Sequence, residues 1–569
     1  MDYQDPQLSV ERRVDDLVGR MTLEEKAGLL FQTMVTMSDI MPIPSATDMI
    51  DGRLMNHFNL FGSASAREMA EWNNAVQERA KATRLGIPVT ISTDPRHSFS
   101  SNPGAAMMAG VFSQWPETTG LAAIGDEALV EKFTDIARQE YLAVGIRVAL
   151  HPQIDLATEP RWARANATFG EDAELTSRLV KAYIRGFQGV RLGKDSVACM
   201  TKHFPGGGPQ KDGEDPHFAY GREQVYPGGN FDYHLKPFEA AFEAGTSQIM
   251  PYYGMPVGTP YEEVGFGFNK DVITGLLRER YGFDGIVCTD WGLLTDDVIM
   301  GQPVAARAWG VEHLTPLERA KKALNAGIDQ FGGEACPELV IELVRSGQIA
   351  EERIDVSVRR LLREKFVLGL FEDPFADPDR AEEIVGRADF VQAGIEAQSA
   401  SLTLLKNGPL PLAEGLRMYV EGVDAETAAG YGTIVATPEE ADIALVRLAA
   451  PYEPRSGTFE SFFHAGSLAF PEAEIARLRA LQSRADTVVD VYLERPAVFP
   501  EIAEGAVAVL GDFGANDAAF LDVVFGRRSP LGRLPYELPR SMAAVEASRS
   551  DMPYDSEDPL YPFGHGLNY

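Results

Sequence analysis

Short, largely apolar runs alternate along this chain with stretches in which apolar residues recur every three or four positions. The runs are Pro88–Ile91, Arg147–Leu150, Val197–Met200, Gln248–Met250 and Ile286–Cys288, with a weaker one at Ile328–Gln330. Runs of this kind, bounded by turn residues, predict strands buried on both faces, as in a parallel sheet. Helical patterns at Ala173–Gly186, Tyr233–Ala244, Asn269–Arg280 and Pro316–Ala326 separate them. An earlier helix covers Val14–Met21, and a capping box at Thr22–Glu25 opens the next one. Alternating strands and helices imply right-handed crossovers, and six or more such units in about 300 residues favour a (β/α)8-type barrel over an open doubly wound sheet.

That pattern occupies residues 1–371. Residues 372–395, a Pro- and Asp-rich stretch followed by an acidic helix, read as a linker over the surface. A second α/β unit, 396–569, shows strand candidates at Met418–Glu421, Ile443–Val446, Val488–Val491 and Val507–Leu510 and a helix at Pro471–Ser483. Together these make a small layered sandwich domain.

Composition narrows the partners. A net charge of -32 sets the chain against nucleic acid and anionic membrane surfaces, and leaves a neutral or cationic small molecule as the natural ligand. The three cysteines are scattered, and no His-x-x-x-His or Cys-x-x-Cys spacing occurs, so neither a metal site nor a cofactor is expected. The N-terminus lacks the basic and apolar segments of a signal peptide, and no run is long enough for a membrane helix, which makes a cytoplasmic protein the expectation. The oligomeric state stays open, with a homodimer as one option.

The residues just past each strand carry the chemistry. The first run leads to Asp94, the second to Asp155 and Pro160-Arg-Trp-Ala-Arg164, and the third to Lys202-His203-Phe-Pro-Gly-Gly-Gly208. The fourth leads to Tyr252-Tyr253, and the fifth to Thr289-Asp290-Trp291. In a parallel barrel these ends share one face, the face on which barrels bind ligands. A lone Asp290 reads as the cap of a following helix; charged and aromatic groups after strand upon strand read as a site. Gly206–Gly208 lacks the Gly-Lys-Ser/Thr of a phosphate loop and reads as a turn that lets substrate approach the backbone.

Lys202-His-Phe-Pro-Gly, Gly282-Phe-Asp-Gly-Ile-Val-Cys-Thr-Asp-Trp291, Pro160-Arg-Trp-Ala-Arg with Phe169-Gly-Glu-Asp172, Leu404-Leu-Lys-Asn407 and the ending Pro559–Tyr569 resemble the signatures of family 3 glycoside hydrolases. The resemblance runs in order over nearly the whole chain and implies a barrel and an α/β sandwich sharing one active site, without the fibronectin-like third domain many members carry. It also implies a retaining, exo-acting β-glycosidase, with β-glucosidase first, acting on a small carbohydrate or glycoside. Asp290 then corresponds to the nucleophile, and Asp94, Arg164, Lys202, His203, Tyr253 and Trp291 to the sugar subsite; Arg161 is the weaker of the two arginines. Asp94 leaves more room for a C6 hydroxymethyl group than a glutamate does.

The acid/base has two main candidates and a distant third. Glu460 lies in Thr458-Phe-Glu-Ser-Phe-Phe463 at the spacing expected for a second-domain loop, where Phe459, Phe462 and Phe463 are placed to desolvate it. The rival pair, Asp215 and His217, stands where the family's N-acetylglucosaminidase branch has an Asp-His dyad, though here within a longer loop reading Asp-Pro-His; Glu453 is a third possibility. The readings competing with a β-glucosidase are an N-acetylhexosaminidase and a catalytically silent sugar-binding protein.

Overall fold

The computed structural model describes residues 1–37, 45–100, 106–299 and 301–569. Eight strands, β1 (Phe31–Thr36), β2 (His57–Phe61), β3 (Thr90–Thr93), β4 (Ile146–Ala149), β5 (Ala198–Phe204), β6 (Gln248–Pro251), β7 (Ile286–Val287) and β8 (Phe331–Gly332), pair in parallel and in chain order, and β8 returns to β1. A parallel bridge between Cys288 and Gln330 joins β7 to β8, reinforced by the Thr289 N–H donating to the Gln330 carbonyl at 2.9 Å. The ring is therefore closed.

Strands β1 and β2 lie before the predicted rhythm. Both carry buried polar residues, Gln32 and Thr33 on one and His57 and Asn59 on the other. Gln32 donates across the barrel to Ser92 Oγ at 2.6 Å. Polar groups inside a barrel interrupt the apolar signature by which such strands are found. The weak candidate at Ile328–Gln330 shifts to Phe331–Gly332, with Gln330 in the closing bridge.

Between the two sheets the chain is helical, at Pro378–Ile384 and Ala388–Ser401. Ala381, Val385, Phe390, Ala393 and Ala397 are buried in the barrel's own core, so packed helices rather than a bare strap connect the domains. The second sheet has strands β9 (Thr403–Lys406), β10 (Arg417–Glu421), β11 (Thr433–Ile434), β12 (Ile443–Ala449), β13 (Thr487–Tyr492) and β14 (Ala508–Asp512) in the order β9-β14-β13-β12-β10-β11, with β9 antiparallel to β14. Alternate residues feed two cores: Ala444, Val446, Val489 and Val509 on one face, Ile443, Leu445, Val488 and Leu510 on the other. Among the predicted strands, β9 and β11 are missing because both are short edge pieces.

The two domains are tightly joined. Gly170 adopts φ +93, and a side chain there would strike the Pro535 carbonyl, so this glycine lets the second domain approach. Its neighbour Glu171 accepts the backbone N–H of Glu537 at 2.7 Å and of Tyr554 at 3.0 Å. The Phe169–Asp172 motif thus serves the domain seam. Among the described residues no helix is long and apolar enough to cross a membrane.

Candidate active site

Asp94, Arg164, Lys202, His203, Tyr253, Asp290 and Trp291 all follow or end barrel strands on the C-terminal face, and a chain of contacts ties them together. Asp94 accepts from Lys202 Nζ at 3.3 Å and from Asn59 Nδ2 at 3.2 Å. Lys202 and His203 are neighbours on β5, where the pairing with β6 slips register between Lys202 and Phe204. That irregularity breaks the strict in-out alternation of a strand and brings both side chains to the site.

His203 is fixed by its surroundings. Its Nδ1 lies 2.7 Å from Asp155 Oδ2, and its Nε2 lies 3.2 Å from Arg164 Nη1. A guanidinium only donates, so Nε2 is the acceptor and Nδ1 carries the proton. Burial, followed by the Arg164 charge, holds the imidazole well below its ordinary pKa, in keeping with a neutral ring. Asp155 also accepts the N–H groups of His203 at 3.1 Å and Gly207 at 2.6 Å, yet burial pushes its carboxyl up to about 6.

Asp290 is 7 % exposed. Its Oδ1 accepts the Trp291 N–H at 2.8 Å, while Oδ2 is buried without a hydrogen-bond partner, 3.7 Å from His203 Nε2. The Nε2 lone pair already faces Arg164, so it offers Asp290 no proton. The described residues just after Asp290 form no helix, which removes the capping reading. Tyr253 donates to the Trp291 carbonyl at 2.7 Å, and its own hydroxyl is pushed well up, first by burial and then by the Asp290 charge. The Trp291 indole lies over the Gly332–Gly333 backbone, where a Cβ at either position would stand 2.6 Å from the ring.

Unsatisfied polar atoms gather at this mouth. Asn59 Oδ1, Gln153 Nε2, Arg164 Nε, Asp290 Oδ2, Trp291 Nε1 and Arg307 Nε are all buried without a partner. Buried polar groups are ordinarily bonded, so a cluster of orphans on one face marks a surface built for a polar ligand. Lys202 and Arg164 surround Asp290 with positive charge; burial drives the Lys202 pKa down, while for Arg164 burial is outweighed by Tyr252, Asp215 and Asp290 and its pKa rises.

The structure also sorts the weaker candidates. Arg161 pairs with Glu159 at 2.8 Å. Glu453 is tied by its backbone to Ala465 at the base of its loop. The triple glycine does not open the backbone to substrate: a Cβ at Gly207 would stand 2.6 Å from the Tyr252 ring, and one at Gly208 would strike the Leu156 carbonyl. These glycines allow the loop to pack on the chain that carries Asp155.

Asp215 and His217 form a buried pair, Oδ1 to Nδ1 at 2.6 Å. Trp162 Nε1 donates to Asp215 Oδ2 at 2.9 Å. Burial opposes the Asp215 charge, but His217 and Arg164 outweigh it and hold the carboxyl well below the usual carboxylate range. Burial likewise lowers the pKa of His217. Two of the three phenylalanines expected around Glu460 do something else: Phe463 and Phe459 pack on His217, with ring centroids at 4.7 and 6.1 Å, and on Phe218 at 5.2 and 5.8 Å. Glu460, in a short turn of helix at Glu460–Phe462, is partly exposed and accepts from Tyr220 Oη at 3.0 Å. Its loop therefore leans over the barrel mouth while the aromatic shield falls on His217.

Asp155, Gln153, Asn59 and Arg307 belong to this region too. Asp155 was legible as a strand-end carboxylate; the other three sit in ordinary sequence and are brought in by the fold alone. Among the described residues, no group of three or more His, Cys, Asp or Glu side chains is arranged to hold a metal ion.

The chain is similar to known glycosidases in sequence and in fold. The model for the glycosyl hydrolase family 3 N terminal domain matches residues 22–364, and that for the family 3 C-terminal domain matches 433–569. The chain is 56% identical to "Beta-glucosidase C" of Emericella nidulans over 100% of its own length and 94% of the relative's. It is 45% identical to the "Periplasmic beta-glucosidase/beta-xylosidase" of Dickeya chrysanthemi, over 99% and 91% of the two chains. In fold it resembles the structure of a β-glucosidase from Erythrobacter marinus, with TM-score 0.82 and 23% identity over 100% of this chain and 84% of that one.

Proposed function

The chain belongs to glycoside hydrolase family 3, and from that premise we propose that it is a retaining, exo-acting β-glucosidase working through Asp290. The observation that carries the reading is the Asp290 carboxylate itself, whose Oδ2 is buried, unpartnered and flanked by Arg164, Lys202 and neutral His203. A retaining hydrolase needs a carboxylate that stays ionised and unengaged until it attacks the anomeric carbon. Here Oδ2 attacks C1, the aglycone departs with a proton from the acid, and the same group then deprotonates the water that releases the sugar. Asp94, Lys202, Arg164 and His203 bind the ring hydroxyls, and Trp291 offers its face to the sugar C–H groups. The Asp290 carboxylate faces the positive charge that develops at C1 in the oxocarbenium-like transition state, while the buried donors hold the ring hydroxyls in place.

Glu460 takes the acid/base role in this reading, carried on a second-domain loop over the barrel mouth. One observation favours a second assignment: Phe459 and Phe463 enclose His217 instead of Glu460, and His217 is oriented by Asp215. An Asp-oriented, shielded imidazole is itself a workable proton donor.

Glucose is the first choice of sugar because Asp94 leaves space at C6, and the double name of the Dickeya relative makes xylose the second substrate to examine. The reading is tested with nitrophenyl β-glucoside, β-xyloside and N-acetyl-β-glucosaminide, following the product anomer by NMR. Fast release of β-glucose supports it; turnover of the N-acetylated substrate alone, or release of the α-anomer, overturns it. A cytoplasmic location stays part of the proposal, and activity recovered with the secreted or periplasmic fraction of the source cells would reject it.

A further inference from the structure

We propose that Arg307 forms a leaving-group subsite for a second, neutral sugar ring; the proposal rests on the glycosidase reading above. Arg307 is only 4 % exposed, and among the described residues no hydrogen bond or ion pair reaches its guanidinium. Burying a cation without a hydrogen-bonding partner is costly, so proteins rarely keep one without a use for it. The rest of the residue is held firmly. Its backbone N–H donates to the Gly292 carbonyl at 2.9 Å, and its guanidinium lies 5.8 Å from the centroid of the Tyr253 ring. Gly292, at φ +71, provides the room: a Cβ there would stand 2.8 Å from Nη1.

The position selects the leaving group rather than the glycone. Asp94, Arg164, Lys202 and His203 come from β3, β4 and β5, on one side of Asp290. Arg307 reaches in from the long segment after β7, beside Trp291–Gly292, and meets the ring of Tyr253, which also packs on His217 at 4.8 Å. Both proton-donor candidates, His217 and the Glu460 loop packed on it, lie on this flank, and the departing oxygen must sit beside the donor. Nε alone is fully enclosed without a partner, so the terminal nitrogens keep access to solvent and can donate to a ligand. A planar guanidinium with several donors suits the hydroxyl oxygens of a pyranose. An anionic aglycone would suit it as well, but a chain of net charge -32 repels anions, which leaves a neutral sugar as the occupant.

The test compares wild type with Arg307→Met and Arg307→Lys on cellobiose and on 4-nitrophenyl β-glucoside, which share the first ring. The expected result for Arg307→Met is a loss of kcat/KM on cellobiose at least tenfold greater than on the nitrophenyl substrate, with Arg307→Lys intermediate. Losses equal on the two substrates overturn the proposal. Since no partner is stranded, Arg307→Met is expected to melt at or above the wild-type temperature; a drop of more than a few degrees identifies a structural role and also overturns it. Calorimetry in an Asp290→Asn background separates this proposal from the activity reading. The affinity gained by cellobiose over glucose should disappear with Arg307→Met even if wild type cleaves no β-glucoside, and an unchanged gain rejects the subsite.

Discussion

Tyr220, on the loop after β5, donates its hydroxyl to Glu460 Oε1 of the second domain at 3.0 Å. Arg455 strengthens the same junction, pairing with Glu214 at 2.7 Å while its guanidinium lies 5.4 Å from the centroid of the Tyr220 ring. The barrel thus holds the sandwich loop over its own mouth, and the two acid/base candidates sit in one aromatic cluster. Their roles separate by leaving-group dependence. Glu460→Ala is expected to slow poor leaving groups by about 10²–10⁴-fold, activated ones far less, with partial rescue by azide. If His217→Ala shows that pattern and Glu460→Ala does not, the proton comes from the Asp215–His217 pair.

Asp290→Asn should leave the fold intact, since Oδ2 has no partner to lose. Turnover is expected to drop on the order of 10⁴-fold or more, as when a covalent nucleophile is removed. Steady-state rates, together with intact-protein mass after incubation with a fluoro-sugar trap, check this: wild type gains one sugar mass and the variant none. Labelling of the variant rejects Asp290.

The Asp155–His203 pair makes a prediction about pH. Both Asp155 oxygens accept N–H donors, so a proton on this carboxyl competes with one of those bonds, the bond to His203 Nδ1 included, and burial pushes the carboxyl up to about 6. Activity is expected to decline below that pH as Nδ1 loses its acceptor and Arg164 loses a fixed ring to bind. Asp155→Asn replaces a charge-assisted bond worth about 1.5–3 kcal/mol, so kcat/KM should fall roughly 10- to 150-fold and the limb near pH 6 should flatten. A pH–rate profile with an unchanged acid limb in the variant counts against the assignment.

Glu171 links the domain seam to stability. Burial raises its carboxyl to about 8 from an ordinary 4.5. The folded chain therefore holds this proton over a range in which the unfolded chain has released it, and rising pH between those values favours unfolding. Melting temperature should decline from pH 5 to pH 8, and Glu171→Gln, which has no proton to lose, should decline less steeply. Parallel slopes for the two proteins contradict this account.

Gly333 supports Trp291. It sits at φ +68, and a Cβ would stand 2.6 Å from Trp291 Cδ1. Gly333→Ala combines a left-handed backbone with a clash, at a cost of about 1–3 kcal/mol. The melting temperature should fall and KM for glucosides should rise as the indole is displaced. Retention of both values indicates that the loop adapts and that Trp291 is not held by this glycine.

Much of this was already in the chain order. A strand buried on both faces, then a turn, then a charged or aromatic residue is a local pattern, and in a parallel barrel every such residue reaches the same edge. Asp94, Arg164, Lys202, His203, Tyr253, Asp290 and Trp291 were readable for that reason, and so was the division into barrel and sandwich. Tertiary structure alone decided which of these groups are satisfied and which are left open. His203 owes its tautomer to Asp155 and Arg164, 48 and 39 residues away. Phe459 and Phe463 shield His217 because a loop from the second domain folds onto the barrel, and Arg307 becomes a buried cation only when Gly292 and Tyr253 close around it. Local periodicity encodes which face a residue lies on. It does not encode what meets that residue from far along the chain, and hydrogen-bond satisfaction, protonation and shielding all depend on that meeting.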